Sequence, residues 1–303
     1  MPITNFPNGV SSFGLPVLPG GVLTTGSVFF VHSGTGSAGN AGTDVSKPKA
    51  TISQAIALCT ASKGDIIFVM PGHAETISAA GGITADVAGI SIIGMGNGTN
   101  RPTLSFSATA STFAISAANV TVANLRVTPT IDEVVKMFHV TAARCTLNNI
   151  EHFETASCQT IQFLLTTNAA DYLTVQNCYH YQANAAGGAQ LWIELVGVDN
   201  ARILDNTFIL ALNNAATSAV INGSTAVVNC QIGRNVILQT GGTTQVSAIL
   251  LASTSTGFVH DNRVAAAVTT LAGTVALASA YGAENYVLNT ANKSGILDPV
   301  ADS

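Results

Sequence analysis

Two histidines and a few carboxylates are the residues whose types and spacing could do chemistry. His152 and His180 stand 28 residues apart and follow Glu151 and Tyr179. Imidazoles in such a pair would ligate a metal or line a sugar groove, yet no third or fourth ligand recurs at their offset, where later repeats carry Ile209 and Leu238. The two rings are therefore expected to stack on one face and lean on apolar neighbours. Carboxylates gather at Asp132, Glu133, Glu151 and Glu154. Glycoside hydrolysis needs two of them about 5–10 Å apart beside aromatic platforms. Here they come with Arg126, Lys136 and Arg144, the composition of solvated ion pairs on a coil surface. Aromatic residues are 6% of the chain with the single Trp192, thin for a carbohydrate cleft. A lyase site would want an arginine or lysine beside a calcium-binding acidic cluster, a grouping that no repeat offers. The expectation is no catalytic residue, no metal and no cofactor. The candidate glycan contacts are Glu151, Glu154, Tyr179, His180 and Tyr181.

What must position these residues is a repeat. Six segments end alike: Val120-Thr-Val-Ala-Asn124, Cys145-Thr-Leu-Asn-Asn149, Leu173-Thr-Val-Gln-Asn177, Arg202-Ile-Leu-Asp-Asn206, Gln231-Ile-Gly-Arg-Asn235 and Phe258-Val-His-Asp-Asn262. The asparagines are 25, 28, 29, 29 and 27 residues apart, and Asn285 follows 23 later. A period in the twenties with β-branched residues alternating around a fixed Asn predicts a solenoid of β-coils. Asn tolerates the left-handed backbone of a sharp corner, and its amide can bond to the same amide one coil above. Asn124, Asn149, Asn177, Asn206, Asn235, Asn262 and Asn285 are thus expected to form one structural ladder. Hairpins would need Asn-Gly or Asp-Gly turns at short intervals, and the repeat has none.

Charged residues are 9% of the 303, the net charge is −5 and the mean hydropathy is +0.41. That balance gives no footprint for nucleic acid or an anionic membrane, and no apolar run reaches the roughly 18 residues of a membrane span. The first residues lack the charged and apolar regions of a signal peptide. Five widely spaced cysteines, Cys59, Cys145, Cys158, Cys178 and Cys230, read as free thiols from a reducing cytoplasm, with Cys145 and Cys178 inside the coils.

In order along the chain, residues 1–27 are Pro- and Gly-rich but carry Phe6, Val10, Phe13 and Leu15, the anchors of an extended arm that docks on a partner. Residues 28–81 hold the first strands and a short helix: Ile52, Ala55, Ile56 and Cys59 fall on one face. Laid across the first coil, that helix would exclude water and block strand addition at the end. Residues 82–292 are the coils and 293–303 a tail. Gly94-Met-Gly-Asn-Gly98 follows a strand but lacks the succeeding helix and acidic residue of a phosphate loop, so it reads as a tight corner. Asn97, Asn119 and Asn222 match glycosylation acceptors at the frequency chance allows in so Asn- and Thr-rich a chain.

The stretch Lys47-Pro-Lys-Ala-Thr-Ile-Ser-Gln-Ala-Ile with Gly64-Asp-Ile-Ile-Phe-Val-Met-Pro-Gly resembles the capping helix and first coil of the pectate-lyase-like right-handed β-helix proteins. That family spans polysaccharide lyases, hydrolases and phage tailspikes, and the resemblance implies an all-β fold, a single right-handed parallel β-helix with an N-terminal capping helix and an extended arm. No family catalytic residue finds a matching motif here. The opening Thr4-Asn-Phe-Pro-Asn-Gly-Val-Ser-Ser-Phe-Gly resembles small virion proteins of tailed bacteriophages. Together they imply a non-enzymatic capsid decoration (cement) protein on the outer surface of a phage head. It would be made in the host bacterial cytoplasm and bound to the major capsid protein through the arm. Its smooth, low-charge coil faces would pack as a homotrimer. The alternative expectation is a tailspike or depolymerase-like protein that binds or cleaves host surface polysaccharide.

Overall fold

The computed structural model describes residues 11–12, 15–16, 24–184, 190–212, 219–240, 247–266 and 275–288. The chain winds as an all-β, right-handed-type parallel solenoid of about seven turns with little helix. Among the described residues, three parallel sheets of ten, nine and eight strands run along it. One coil shows how the sequence makes them. Thr121–Ala123 lies in the first sheet, Arg126–Pro129 in the second and Phe138–Val140 in the third, after which Thr146–Asn148 resumes the first sheet one rung on. Strands of three or four residues suffice because each pairs on both sides, as Thr121 does with Ser91 and Thr146. Side chains alternate, so Val122 and Val127 are buried while Thr121 and Arg126 face outward.

Buried residues therefore stack in columns along the axis. In the second sheet one inner column runs Leu104, Val127, His152, His180, Phe208, Ile237, Val264 and Val287. Phe113, Phe138 and Phe163 continue the core toward the third sheet, with ring centroids 5.4 and 5.3 Å apart. Ile209 and Leu238, expected beside the histidines, instead point outward, because the register pairs His180 with Phe208.

The same register corrects the ladder, which runs in two columns rather than one. Asn124, Asn149 and Asn177 occupy the left-handed corner with φ of 57°, 53° and 56°. Gln176 pairs with Leu204, so that corner passes next to Asp205, then to Arg234, Asp261 and Glu284. Asn206, Asn235, Asn262 and Asn285 lie one residue further on, where earlier coils put Leu125, Ile150 and Cys178, and they are buried. There the amides link directly: Asn206 Nδ2 donates to Asn235 Oδ1 at 3.0 Å, Asn235 to Asn262 at 2.9 Å and Asn262 to Asn285 at 2.9 Å. The outer column is less regular. Asn149 donates to Asn124 at 2.9 Å, but Asn177 donates to Asn148 at 3.0 Å.

A helix of five residues, Ile52–Ile56, begins at Thr51, whose hydroxyl accepts from Gln54 N at 3.3 Å. It buries Ile52, Ala55 and Ile56 and stops short of Cys59. Of the arm, Ser11–Ser12 pairs antiparallel with Leu15–Pro16; Phe6, Val10 and Phe13 lie outside the described residues, as does everything after 288.

All five cysteines are free, with Cys145, Cys178 and Cys230 buried. Burial pushes the Cys178 thiol up to about 12 and Cys230 to about 11, so neither supplies thiolate at neutral pH. In the native protein a thiol reagent is expected to label Cys158 first and leave Cys145, Cys178 and Cys230 unreacted until denaturant is added; fast native labelling at position 178 would contradict this packing.

Candidate functional site

The outer face of the second sheet brings most of the predicted residues together. Alternation puts Arg126, Glu151, Tyr179, Thr207, Val236, Arg263 and Tyr286 in one outward column, each opposite the next across a parallel rung. Beside it run Thr128, Phe153, Tyr181, Ile209, Leu238 and Ala265. Phe153 and Tyr181 stack with centroids 5.0 Å apart and planes 19° off parallel.

At the N-terminal end of this face two guanidinium groups converge on one carboxylate. Arg126 Nε donates to Glu151 Oε2 at 2.9 Å, and Arg101 Nη1 lies 3.7 Å from the same oxygen. Arg101 follows the turn Gly98–Asn100, and its Nη2 donates to Asn149 Oδ1 at 3.4 Å. Its Nε is buried and bonded to nothing among the described residues. The side chains of Arg101, Arg126 and Glu151 are 15%, 28% and 24% exposed, shielded yet reachable. Two positive charges against one negative leave an excess that an incoming anion would neutralise, with donors already oriented in planar forks. The rings of Tyr179, Tyr181 and Phe153 beside the cluster offer flat surfaces of the kind that sugar rings stack on.

Two of the expected contacts are corrected. His180 and Glu154 belong to the core, with relative exposures of 0% and 1%. Glu154 is accordingly no member of a surface ion-pair cluster and no second carboxylate for Glu151. Its Oε1 accepts from Thr160 N at 2.7 Å and lies 3.1 Å from His152 Nε2. His180 stacks flat on Phe208 at 4.7 Å, meets Phe163 edge-on at 4.4 Å and lies 6.2 Å from His152. Among the described residues neither of its nitrogens has a hydrogen-bond partner, and burial holds its pKa well below the ordinary histidine value, with His152 adding to the effect. Trp192 closes the cluster 4.9 Å from His152.

Sequence reasoning missed Arg101 and Phe153. Arg101 lies 50 residues before Glu151, in a corner whose place beside the second sheet only the coil geometry reveals. Phe153 carried a usable signal, since it sits two positions after Glu151 and so shares its face. Elsewhere, Arg144 lies over the Tyr172 ring at 5.0 Å. Among the described residues no three or more His, Cys, Asp or Glu are grouped to hold a metal, and no helix is long and apolar enough to cross a membrane.

No protein-family model and no curated protein matches the sequence. Solved structures do match the fold. The crystal structure of pectate lyase Pel9A aligns with TM-score 0.54 at 15% identity, over 92% of this chain and 82% of that one. A rhamnogalacturonan lyase gives 0.45 at 12% identity over 90% of each chain, and a GH136 lacto-N-biosidase from Eubacterium ramulus gives 0.42 at 11% over 87% and 68%. Only the first is close enough to carry the comparison, and what it carries is the fold. It also overturns one expectation: a chain folded like a pectate lyase is not to be classed as non-enzymatic, so that exclusion is withdrawn.

Proposed function

We propose that the protein acts on an acidic polysaccharide, which it binds on the outer face of its second sheet. The observation that carries this reading is the Arg101–Glu151–Arg126 cluster beside the rings of Tyr179, Phe153 and Tyr181. The arginines would hold a sugar carboxylate and the rings the apolar faces of the sugars. The reaction class that suits this arrangement is elimination. A guanidinium-bound carboxylate acidifies the neighbouring C–H; Glu151, beside both guanidinium groups, would take that proton, the carbon–carbon double bond would form as the adjacent glycosidic C–O bond breaks, and the leaving sugar oxygen would take a proton from water. For the hydrolytic alternative, the expected second carboxylate, Glu154, points into the core. The likeness to a pectate lyase makes polygalacturonate the first probe.

Arg126→Ala is expected to weaken binding of polygalacturonate about tenfold, one charge-assisted contact, without affecting a neutral dextran. Glu151→Gln should keep binding and abolish the release of unsaturated sugar ends. Equal retention of dextran, or unchanged binding by Arg126→Ala, overturns the reading; binding without turnover by the parent protein overturns the elimination step alone.

The helix Ile52–Ile56 serves as the end cap, supported by its buried Ile52, Ala55 and Ile56. Residues 1–27 tether the rod, as a homotrimer, to the major capsid protein on the outer surface of a phage head. The support here is the resemblance of the opening segment. Pelleting with tail-less capsids checks it: many copies bound by the full chain and none without residues 1–20 is the expected result, and equal binding by both chains would refute it.

A further inference from the structure

We infer that Asn149 is a positioning residue of the proposed polysaccharide site: it holds the Arg101 guanidinium through a chain of corner amides, so that Arg101 meets the sugar carboxylate already aimed. The inference rests on the reading above and extends it. The two arginines reach Glu151 by different routes. Arg126 stands one rung away in the outward column, and its Nε donates to Glu151 Oε2 at 2.9 Å. Arg101 precedes Thr103, which lies two rungs from Glu151, a reach of about 10 Å at the spacing of neighbouring strands. Its Nη1 stops 3.7 Å from Oε2, an ionic contact too long for a hydrogen bond. Glu151 therefore does not fix the direction of this guanidinium. A long side chain left unfixed loses rotamer freedom when it takes up a ligand, and affinity falls accordingly.

Asn149 supplies the directing bond. Its Oδ1 accepts from Arg101 Nη2 at 3.4 Å, while its Nδ2 is committed to Asn124 Oδ1 at 2.9 Å. Asn124 is turned in the same sense: its Nδ2 donates to Gly94 O at 2.7 Å and to Gly96 O at 3.1 Å, which leaves its oxygen for Asn149. An amide carries its donors at one end and its acceptor at the other. The carbonyls of Gly94 and Gly96 thus orient both asparagines in turn, and the last of them presents an oxygen to Arg101. The turn at the start of the chain is tight. A Cβ on Gly94 would run into the Asn124 carbonyl oxygen, and Gly96 has φ of 96°. The backbone of Arg101 is tied into the same turn, its N donating to Gly98 O at 3.2 Å. Both ends of the arginine are therefore referred to one corner of the coil. The next corner amide, Asn177, donates to Asn148 and not to Asn149, so Asn149 Oδ1 is left to the arginine.

The test is a double-mutant cycle on the full-length protein, read as affinity for polygalacturonate at low ionic strength with neutral dextran as the control. Asn149→Gly removes the amide and suits the left-handed corner, where φ is 53°. It should weaken binding about fivefold, the effect of having to order one long side chain. In an Arg101→Ala background the same change should have no effect. Arg101→Lys keeps the charge but not the planar fork that spans Asn149 and Glu151, and should weaken binding about as much as Asn149→Gly; it decides the question should Asn149→Gly unfold. One readout needs no ligand. In nitrogen NMR spectra the Arg101 guanidinium should rotate slowly in the parent and freely in Asn149→Gly, with Arg126 unchanged. Parent-like binding by Asn149→Gly or by Arg101→Lys, while Arg126→Ala weakens it, overturns the inference and leaves the reading beneath it in place. A loss in Asn149→Gly that persists in the Arg101→Ala background makes Asn149 a prop of the fold and overturns the inference too. If Arg126→Ala and Arg101→Ala both bind like the parent, the underlying reading falls and the inference falls with it.

Discussion

Replacing Asn235 with alanine is expected to lower stability by about 3–5 kcal/mol, because several buried groups lose their partners at once. Its Oδ1 accepts from both the backbone N and the Nδ2 of Asn206 at 3.0 Å, while its Nδ2 donates to Ile203 O and Asn262 Oδ1 at 2.9 Å. Asn235 is 0% exposed, so no water replaces these bonds without opening the coil. Asn177→Ala is the contrasting change. That side chain makes one exposed bond, to Asn148, and the main cost is a non-Gly left-handed corner with no amide to support it, about 1 kcal/mol. The two variants should therefore differ severalfold in their loss of Tm by calorimetry. Equal losses would mean that the buried column contributes no more than the outer one.

The second large effect is acid lability. His180 is held neutral inside the rod, among Phe163, Phe208 and Trp192, with His152 and its partner Glu154 as the titratable groups that face it. Its folded pKa lies well below the ordinary value, to which it returns on unfolding, about 6.5. Below that pH the unfolded chain takes up a proton that the folded chain refuses. The stability His180 confers is therefore complete above about pH 6.5 and is lost as pH falls, by up to about 1.4 kcal/mol per unit. His180→Phe should flatten the loss between about pH 6.5 and 4.5. The ring it inserts stacks on Phe208 as the imidazole does and forfeits no hydrogen bond, since neither nitrogen makes one among the described residues. An unchanged acid slope in this variant would overturn this account of the lability.

How much of this the sequence discloses depends on which interactions are periodic. The solenoid is legible because each coil needs a corner and each corner leaves an Asn, Asp or charged residue at nearly the same interval. The outward placement of Glu151 and Tyr179 follows from simple alternation. The one-residue shift between Asn177 and Asn206 is hidden, since both positions carry the same amino acid and only the backbone register, Gln176 opposite Leu204, tells corner from core. That single slip sends Ile209 and Leu238 outward and brings Phe208 onto His180. The burial of Glu154 is equally concealed: a glutamate after a three-residue strand reads as surface until the connection behind it turns Thr160 back onto it. Arg101 reaches Glu151 across coils, a meeting that no local pattern encodes.

The two amide columns also bear on how such a chain can change length. From Asn206 to Asn285 every coil presents the same inward amide and the same kind of charged corner, so duplicating a unit such as residues 207–235 would hand the next coil the donors and acceptors it already meets. Between Asn177 and Asn206 the inward position changes from the Cys178 thiol to an amide, so Asn206 Oδ1 accepts there from the backbone N of Cys178 with no side-chain amide on that side to join it. The rod thus has one segment open to growth by tandem duplication and one junction where recombination breaks the bonding pattern.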